Sequence, residues 1–225
     1  MTKNELLAVA KPIRLNTEEV RAIIDGRKKT IRRCVKPKSK NAYGFFVTER
    51  VSDGAFMGVY DYDEDENAFD NPQKQPAYTG DILYVKETWS EHYTADSDGE
   101  LVYCYKADGV DLKSECLPGE NNRWWQSTYM PKEAARVFLQ VTGVRVEKLN
   151  EISFNDILLD GIVIRPEAYN DPDNAYLQAV NAYETLWNTT VKKSDLDRYG
   201  WNANPWVWVI EFEKIEVTER VKVTE

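Results

Sequence analysis

The sequence predicts an α+β domain built around a small closed sheet. Three observations lead there. Several segments alternate apolar and polar residues at the period of a strand, among them ILYVKETW (82–89) and WVWVIEFEKIEV (206–217). Only two or three segments carry helical spacing. Strands and helices follow no regular βαβ alternation, which argues against a doubly wound parallel sheet. The length suits one domain, 1–225, with insertions at about 38–79, 90–128 and 165–200.

The first clear element is a helix over about 17–25, TEEVRAIID. Asn16 is placed to cap it, Glu19 stands three residues on, and Gly26 suits the left-handed position after its end. Residues 38–79 read as an insertion around the acidic run DYDEDEN (61–67). Its spacing lacks the sixth-position glycine of an EF-hand, so a solvated loop fits it better than a calcium site. Thr79-Gly80-Asp81 turns into the strand ILYVKETW, and a loop-rich section at 90–128 surrounds a further strand, LVYCYKA (101–107). A long β stretch, RVFLQVTGVRVEKL (136–149), contains Gly143 as a bulge or hinge. A short helix follows at about 154–160, capped by Ser153 and ended by Gly161. Residues 174–188 show helical spacing at Tyr176, Leu177, Val180, Tyr183, Leu186 and Trp187. In the closing strand, Trp206, Trp208, Ile210 and Phe212 share a face and read as core. Trp124 and Trp125 lie among polar residues, which leaves one of them for the surface.

Composition narrows the function classes. The chain holds 42% hydrophobic residues, and no apolar run approaches the roughly 20 residues of a membrane span. The N-terminus lacks a signal-peptide core, so the expected location is cytoplasmic, with no membrane partner. Cys34, Cys104 and Cys116 are widely spaced, with no CxxC pair, and read as free thiols rather than a zinc site. His92 is the only histidine, which argues against His-rich metal sites and a His-based triad. It reads as an exposed loop residue. No metal or cofactor is expected.

The strongest local signal is GRKKTIRR (26–33). Residues 27–40 carry eight basic side chains (Arg27, Lys28, Lys29, Arg32, Arg33, Lys36, Lys38, Lys40) and no acid. The net charge is −9, so the remaining residues hold 21 basic against 38 acidic side chains. Cations after a helix C-terminus are favoured by roughly 0.3–1 kcal/mol each, which accounts for Arg27 and Lys28 but not for residues as distant as Lys40. A focused positive stripe on a negative protein points to an anionic ligand. The negative surroundings favour a short or single-stranded one.

Four pieces occur in order: the helix leading into GRKKTIRR, then TGDILYVKETW, then FLQVTGVRVEKLNEISFNDILLDGI, then NPWVWVIEFEKIEV. Together they resemble ASCH domains, the PUA-like β-barrels related to RNA-binding domains, and most closely a longer form found in phages and prophages. MPKEAARVFL (130–139) and GWNANPWVWVIEF (200–212) belong to the same likeness. The resemblance implies a PUA-like barrel of about 110 residues with flanking helices and long insertions, and a cleft lined by the GRK segment. Some small members deacylate N4-acetylcytidine with a lysine, a threonine three residues later and a downstream glutamate. Carried over, the lysine falls at Lys28, the threonine at Ile31 and the glutamate at Asp160. Ile31 has no hydroxyl, and Thr30, one residue earlier, would face the other way in an extended segment.

Three functions follow. The first is binding of RNA, single-stranded nucleic acid or a nucleotide in a basic cleft on residues 27–36. Arg27, Lys29, Arg32, Arg33 and Lys36 would meet phosphates, and Trp89 would stack a base unless it is a strand-end core residue. The second is an amidohydrolase acting on a modified nucleoside such as an N4-acylcytidine. There Lys28 is the base, Thr30 a displaced nucleophile and Asp160 the residue that orients the lysine, with Glu87 a further acid or base. The third is a phage accessory protein whose stripe meets an acidic protein partner.

Overall fold

The structure, a computed structural model, describes residues 1–38, 42–52, 54, 56–69, 72–93, 101–112 and 123–218. Lys40 and Cys116 lie outside the described residues. The class is mixed α+β. The described residues include nine strands: β1 (Lys11–Arg14), β2 (Thr30–Cys34), β3 (Gly44–Glu49), β4 (Phe56–Tyr62), β5 (Ile82–Lys86), β6 (Trp89–Tyr93), β7 (Leu101–Tyr105), β8 (Phe138–Lys148) and β9 (Trp206–Ile215). The helices are α1 (Lys3–Val9), α2 (Thr17–Ile24), α3 (Phe154–Leu159), α4 (Pro172–Thr190) and α5 (Leu196–Tyr199). Five strands are ordered β1-β5-β8-β9-β2, and β3-β4 and β6-β7 form two-stranded sheets. The five-strand order is linear, so the small closed sheet expected from the sequence is not found, and no barrel closes among the described residues. Among the described residues no helix is long and apolar enough to cross a membrane.

The chain, read above as one domain with insertions, divides into two compact units. Unit 1 comprises Met1–Lys29, Gly80–Val141 and Phe212–Glu225; unit 2 comprises Thr30–Thr79 and Thr142–Glu211.

In unit 1, α2 has the predicted start and stop. The Asn16 side chain accepts from Glu19 N at 2.9 Å, the Glu19 carboxylate accepts from Asn16 N, and Gly26 follows the helix at φ 73°. β1 pairs parallel with β5, Lys11 opposite Leu83, and β5 pairs antiparallel with β8, Ile82 opposite Gln140. The stretch expected as one strand through Trp89 breaks after Lys86. Glu87 turns inward, and β6 starts at Trp89 to pair with β7. The core of the unit gathers Leu6, Tyr84, Trp89, Tyr105, Met130, Ala134 and Phe138.

In unit 2, β2 runs antiparallel to β9 with Thr30 opposite Glu211, Arg32 opposite Val209 and Cys34 opposite Val207. The pleat sorts side chains by parity. Cys34, Val207 and Val209 join a cluster with Ile157 of α3 and with Ala175, Ala179, Tyr183 and Trp187 of α4. Val35 and Trp208 instead meet Val59, Phe45 and Val47 of the β3-β4 hairpin. The buried stripe of α4 differs from the expected one. Ala175, Ala179, Tyr183 and Trp187 are inside, whereas Tyr176 and Leu177 are about half exposed. Small alanines let the helix approach closely, and the bulky Tyr176 and Leu177 are turned outward.

The acidic run begins inside β4 and continues as the exposed loop 64–67. Asp61 is 1% exposed and accepts from Lys38 N and Gln73 Nε2, while Asp63 accepts from the backbone N–H groups of Asp65 and Asn67. Gly143 adopts no left-handed φ; a Cβ there would lie 2.9 Å from a Glu211 carboxylate oxygen, so its lack of a side chain makes room for that carboxylate.

Candidate functional site

Two features of unit 2 carry chemistry: a buried ionic network and an open groove. The network is positioned from both ends by local rules. Thr30 and Arg32, two residues apart on β2, extend to the same side of the sheet. Asp160 caps the C-terminus of α3, where Gly161 at φ 95° ends the helix. A carboxylate is disfavoured at that pole of a helix, so Asp160 needs partners. Its partners include three donors: the Thr30 hydroxyl donates to Oδ1 at 2.7 Å, the Arg32 guanidinium to Oδ2 at 2.6 Å, and the Tyr183 phenol to Oδ2 at 2.7 Å.

The network extends outward. Arg32 also donates to Glu147 Oε1 from Nε and Nη2, at 3.0 and 2.8 Å. Arg145 reaches Glu147, Asp156 and Glu211. Burial weakens the hold of Arg32 on its proton, but Asp160, Tyr183 and Glu147 more than offset it, so the guanidinium stays firmly charged. Burial first, and then Asp160, push the Tyr183 phenol well above its ordinary range. Tyr183 is therefore a fixed donor. The hydroxyl on the carboxylate is Thr30, while Ile31 is fully buried and on the opposite face of β2.

The groove lies where β2 ends, between the β3-β4 hairpin and the segment from α5 to β9. Its volume is about 390 Å³. Its lining includes Tyr43, Tyr62, Tyr199 and Trp206 together with Lys148 and Arg198, and no carboxylate is among the lining residues. The cations sit on ring faces. Lys148 Nζ is 4.7 Å from the Trp206 ring centre, and the Arg198 guanidinium and Lys36 Nζ are 5.5 and 5.6 Å from that of Tyr199. Trp206, expected as core, is only partly buried, whereas Trp208 is 4% exposed. Cys34, close to Lys36, has its thiol pushed up to about 11 mainly by burial, so it is protonated near neutrality and a poor nucleophile.

The remaining expected site residues are divided between the two units. In unit 1, Arg27 is exposed and paired with Asp25, Lys29 is exposed, and Lys28 is 6% exposed with Nζ 4.0 Å from Glu19. Glu87, 1% exposed, takes a two-pronged contact from Arg136 at 3.0 and 3.1 Å; Arg136 also lies over the Tyr105 ring at 3.9 Å. That arrangement is a clip inside unit 1. Trp89 is 6% exposed, inside the core rather than offered to a base, and its indole N–H has no partner among the described residues. His92 is on β6 rather than in a loop, 3.4 Å from the Cys104 sulfur. Trp124 and Trp125 are both half-buried, the latter under Arg123. In unit 2, Arg33 is half-buried and Lys36 exposed.

Sequence reasoning missed Glu147, Arg145, Tyr183, Tyr43, Lys148 and Arg198. Three aromatic residues, Tyr199, Trp201 and Trp206, following Arg198 in RYGWNANPW (198–206) were a usable signal for the groove. Pairing Lys148 with Trp206 was not, because it depends on the bond from Leu149 N to Pro205 O. No family model matches the chain, and neither does any curated protein or solved structure.

Proposed function

We propose that this protein binds RNA, another single-stranded nucleic acid or a nucleotide, and that its fold is an elaborated relative of the ASCH and PUA-like domains. The carrying observation is the groove of unit 2, which combines rings and cations and has no carboxylate among its described lining residues, on a chain with a nine-charge acidic excess. Rings stack bases at roughly 1–3 kcal/mol per base, and cations neutralise phosphates. Of the basic stripe, Lys36 supports this reading from within unit 2. Arg32 is committed to Asp160 and Glu147 and acts as scaffold. Anisotropy of a labelled ten-nucleotide RNA at 50 and 200 mM salt tests it. Binding should fall steeply between the two, and changing Lys148 and Arg198 together to Glu should abolish it. Absence of binding at the lower salt removes the proposal.

One observation favours a second reading, hydrolysis of an N4-acylated cytidine: the hydroxyl of Thr30 donates to the Asp160 carboxylate at 2.7 Å. A hydroxyl bonded to a base is the arrangement of an activated nucleophile. Thr30 is 2% exposed, so substrate would reach it only through an opening of the network. Incubation with N4-acetylcytidine should give turnover lost in both Thr30→Ala and Lys28→Ala. No turnover at high enzyme concentration rejects this reading.

A further inference from the structure

We infer that the groove of unit 2 takes one unpaired nucleotide, its base on the rings and its phosphate on the cations, and excludes duplex. This rests on the binding reading above and narrows its ligand.

The size sets the occupancy. Sites for small ligands span about 300–1,000 Å³, and about 390 Å³ lies at the low end. One base with its sugar and phosphate fills such a space; a stacked run does not. A paired base cannot present its face to a ring inside a groove without leaving the duplex stack.

The chemistry sets the class. Lys36, Lys148 and Arg198 rest on aromatic faces, and none is paired with a carboxylate among the described residues. A cation over a partly exposed ring is weakly held, and a charge-assisted bond to phosphate is stronger. A base sliding onto Trp206 therefore displaces Lys148 toward the phosphate that arrives with it. Base and phosphate are recognised together: neither alone drives both halves of that exchange. The rim is prepared as well. Tyr43 is 75% exposed, 6.2 Å from Tyr62 between ring centres. Tyr62 lies directly over Gly44, where any side chain would collide with its ring.

The nucleotide could be free or part of a strand, and the experiment separates the two. Dissociation constants are measured by calorimetry for adenosine 5′-monophosphate, adenosine, inorganic phosphate, a ten-nucleotide single strand and its duplex, using the full chain. The expected result is that the monophosphate binds at least tenfold more tightly than adenosine or phosphate, and the single strand at least tenfold more tightly than the duplex. Lys148→Ala and Arg198→Ala, both at exposed or half-buried positions, should each weaken monophosphate and strand about tenfold. Gly44→Ala should weaken both by moving Tyr62. If the single strand binds and the monophosphate does not, the single-nucleotide inference fails and the binding reading stands. If neither binds, both fail. If the monophosphate binds equally well to the Lys148 and Arg198 variants, or the duplex matches the single strand, the groove is not the site.

Discussion

At the scale of single residues, the most constrained group is Asp160. It is 4% exposed and satisfies Thr30, Arg32 and Tyr183 at once. Arg32 has a side chain only 1% exposed, so removing the carboxylate takes from a buried cation one of its two bonded carboxylates, Glu147 remaining, and takes an acceptor from two hydroxyls. Asp160→Ala should therefore destabilise the protein by about 3–5 kcal/mol, measured by urea unfolding. Asp160→Asn keeps the shape and one acceptor oxygen but loses the charge and turns an amide NH2 toward a donor, and should fall between wild type and alanine. An alanine variant within about 0.5 kcal/mol of wild type would contradict the network's geometry. Arg32 illustrates why composition misleads here: a guanidinium read from sequence as a phosphate contact is occupied inside the protein.

Elements are where local chemistry was most legible. The Asn16–Glu19 capping box and Gly26 delimit α2 as their residue types require. Ser153 and Gly161 do the same for α3, and the second of these matters for the site because it fixes the residue before it, Asp160. Gly161 stands at φ 95°, a conformation that L side chains resist by roughly 1–2 kcal/mol. Gly161→Ala should lower stability by about that amount in thermal unfolding, and a change of near zero would show that the turn relaxes freely. In contrast, the expected stripe of α4 holds at Tyr183 and Trp187 but fails in the first turns of the helix. Tyr176 and Leu177 have the right spacing, but alanines at 175 and 179 take the buried places because the helix packs close.

For the whole molecule, the acidic excess makes ionic strength and pH informative. Burial, partly offset by Arg136, raises the Glu87 carboxyl above its ordinary value of 4.5. The folded state then holds this proton more tightly than the unfolded chain. Its contribution to stability is fully present below the unfolded value and declines as pH climbs through the raised one. The melting temperature should fall as pH rises from about 4.5, and Glu87→Gln, which cannot titrate, should flatten that part of the profile. An unchanged slope in the glutamine variant would show that Glu87 is not the group responsible. The proposed binding of nucleic acid should depend on salt at this scale too, since screening acts on the summed field as well as on each contact.

By itself the sequence determined the mixed α+β class, the ends of α2 and α3, the strand character of β5, β7, β8 and β9, and the presence of one concentrated basic stripe. Each of these depends on neighbours within a few residues: caps, glycine conformations, alternation and local charge. Only the tertiary structure decided that Arg32 turns to Asp160 and Glu147, that Trp89 is core, that Trp206 is partly open under Lys148, and that no barrel closes among the described residues. Those outcomes join residues such as 32 with 160 and 148 with 206. Pairing at that separation is fixed by strand register and helix packing, and no short-range pattern in the chain encodes it.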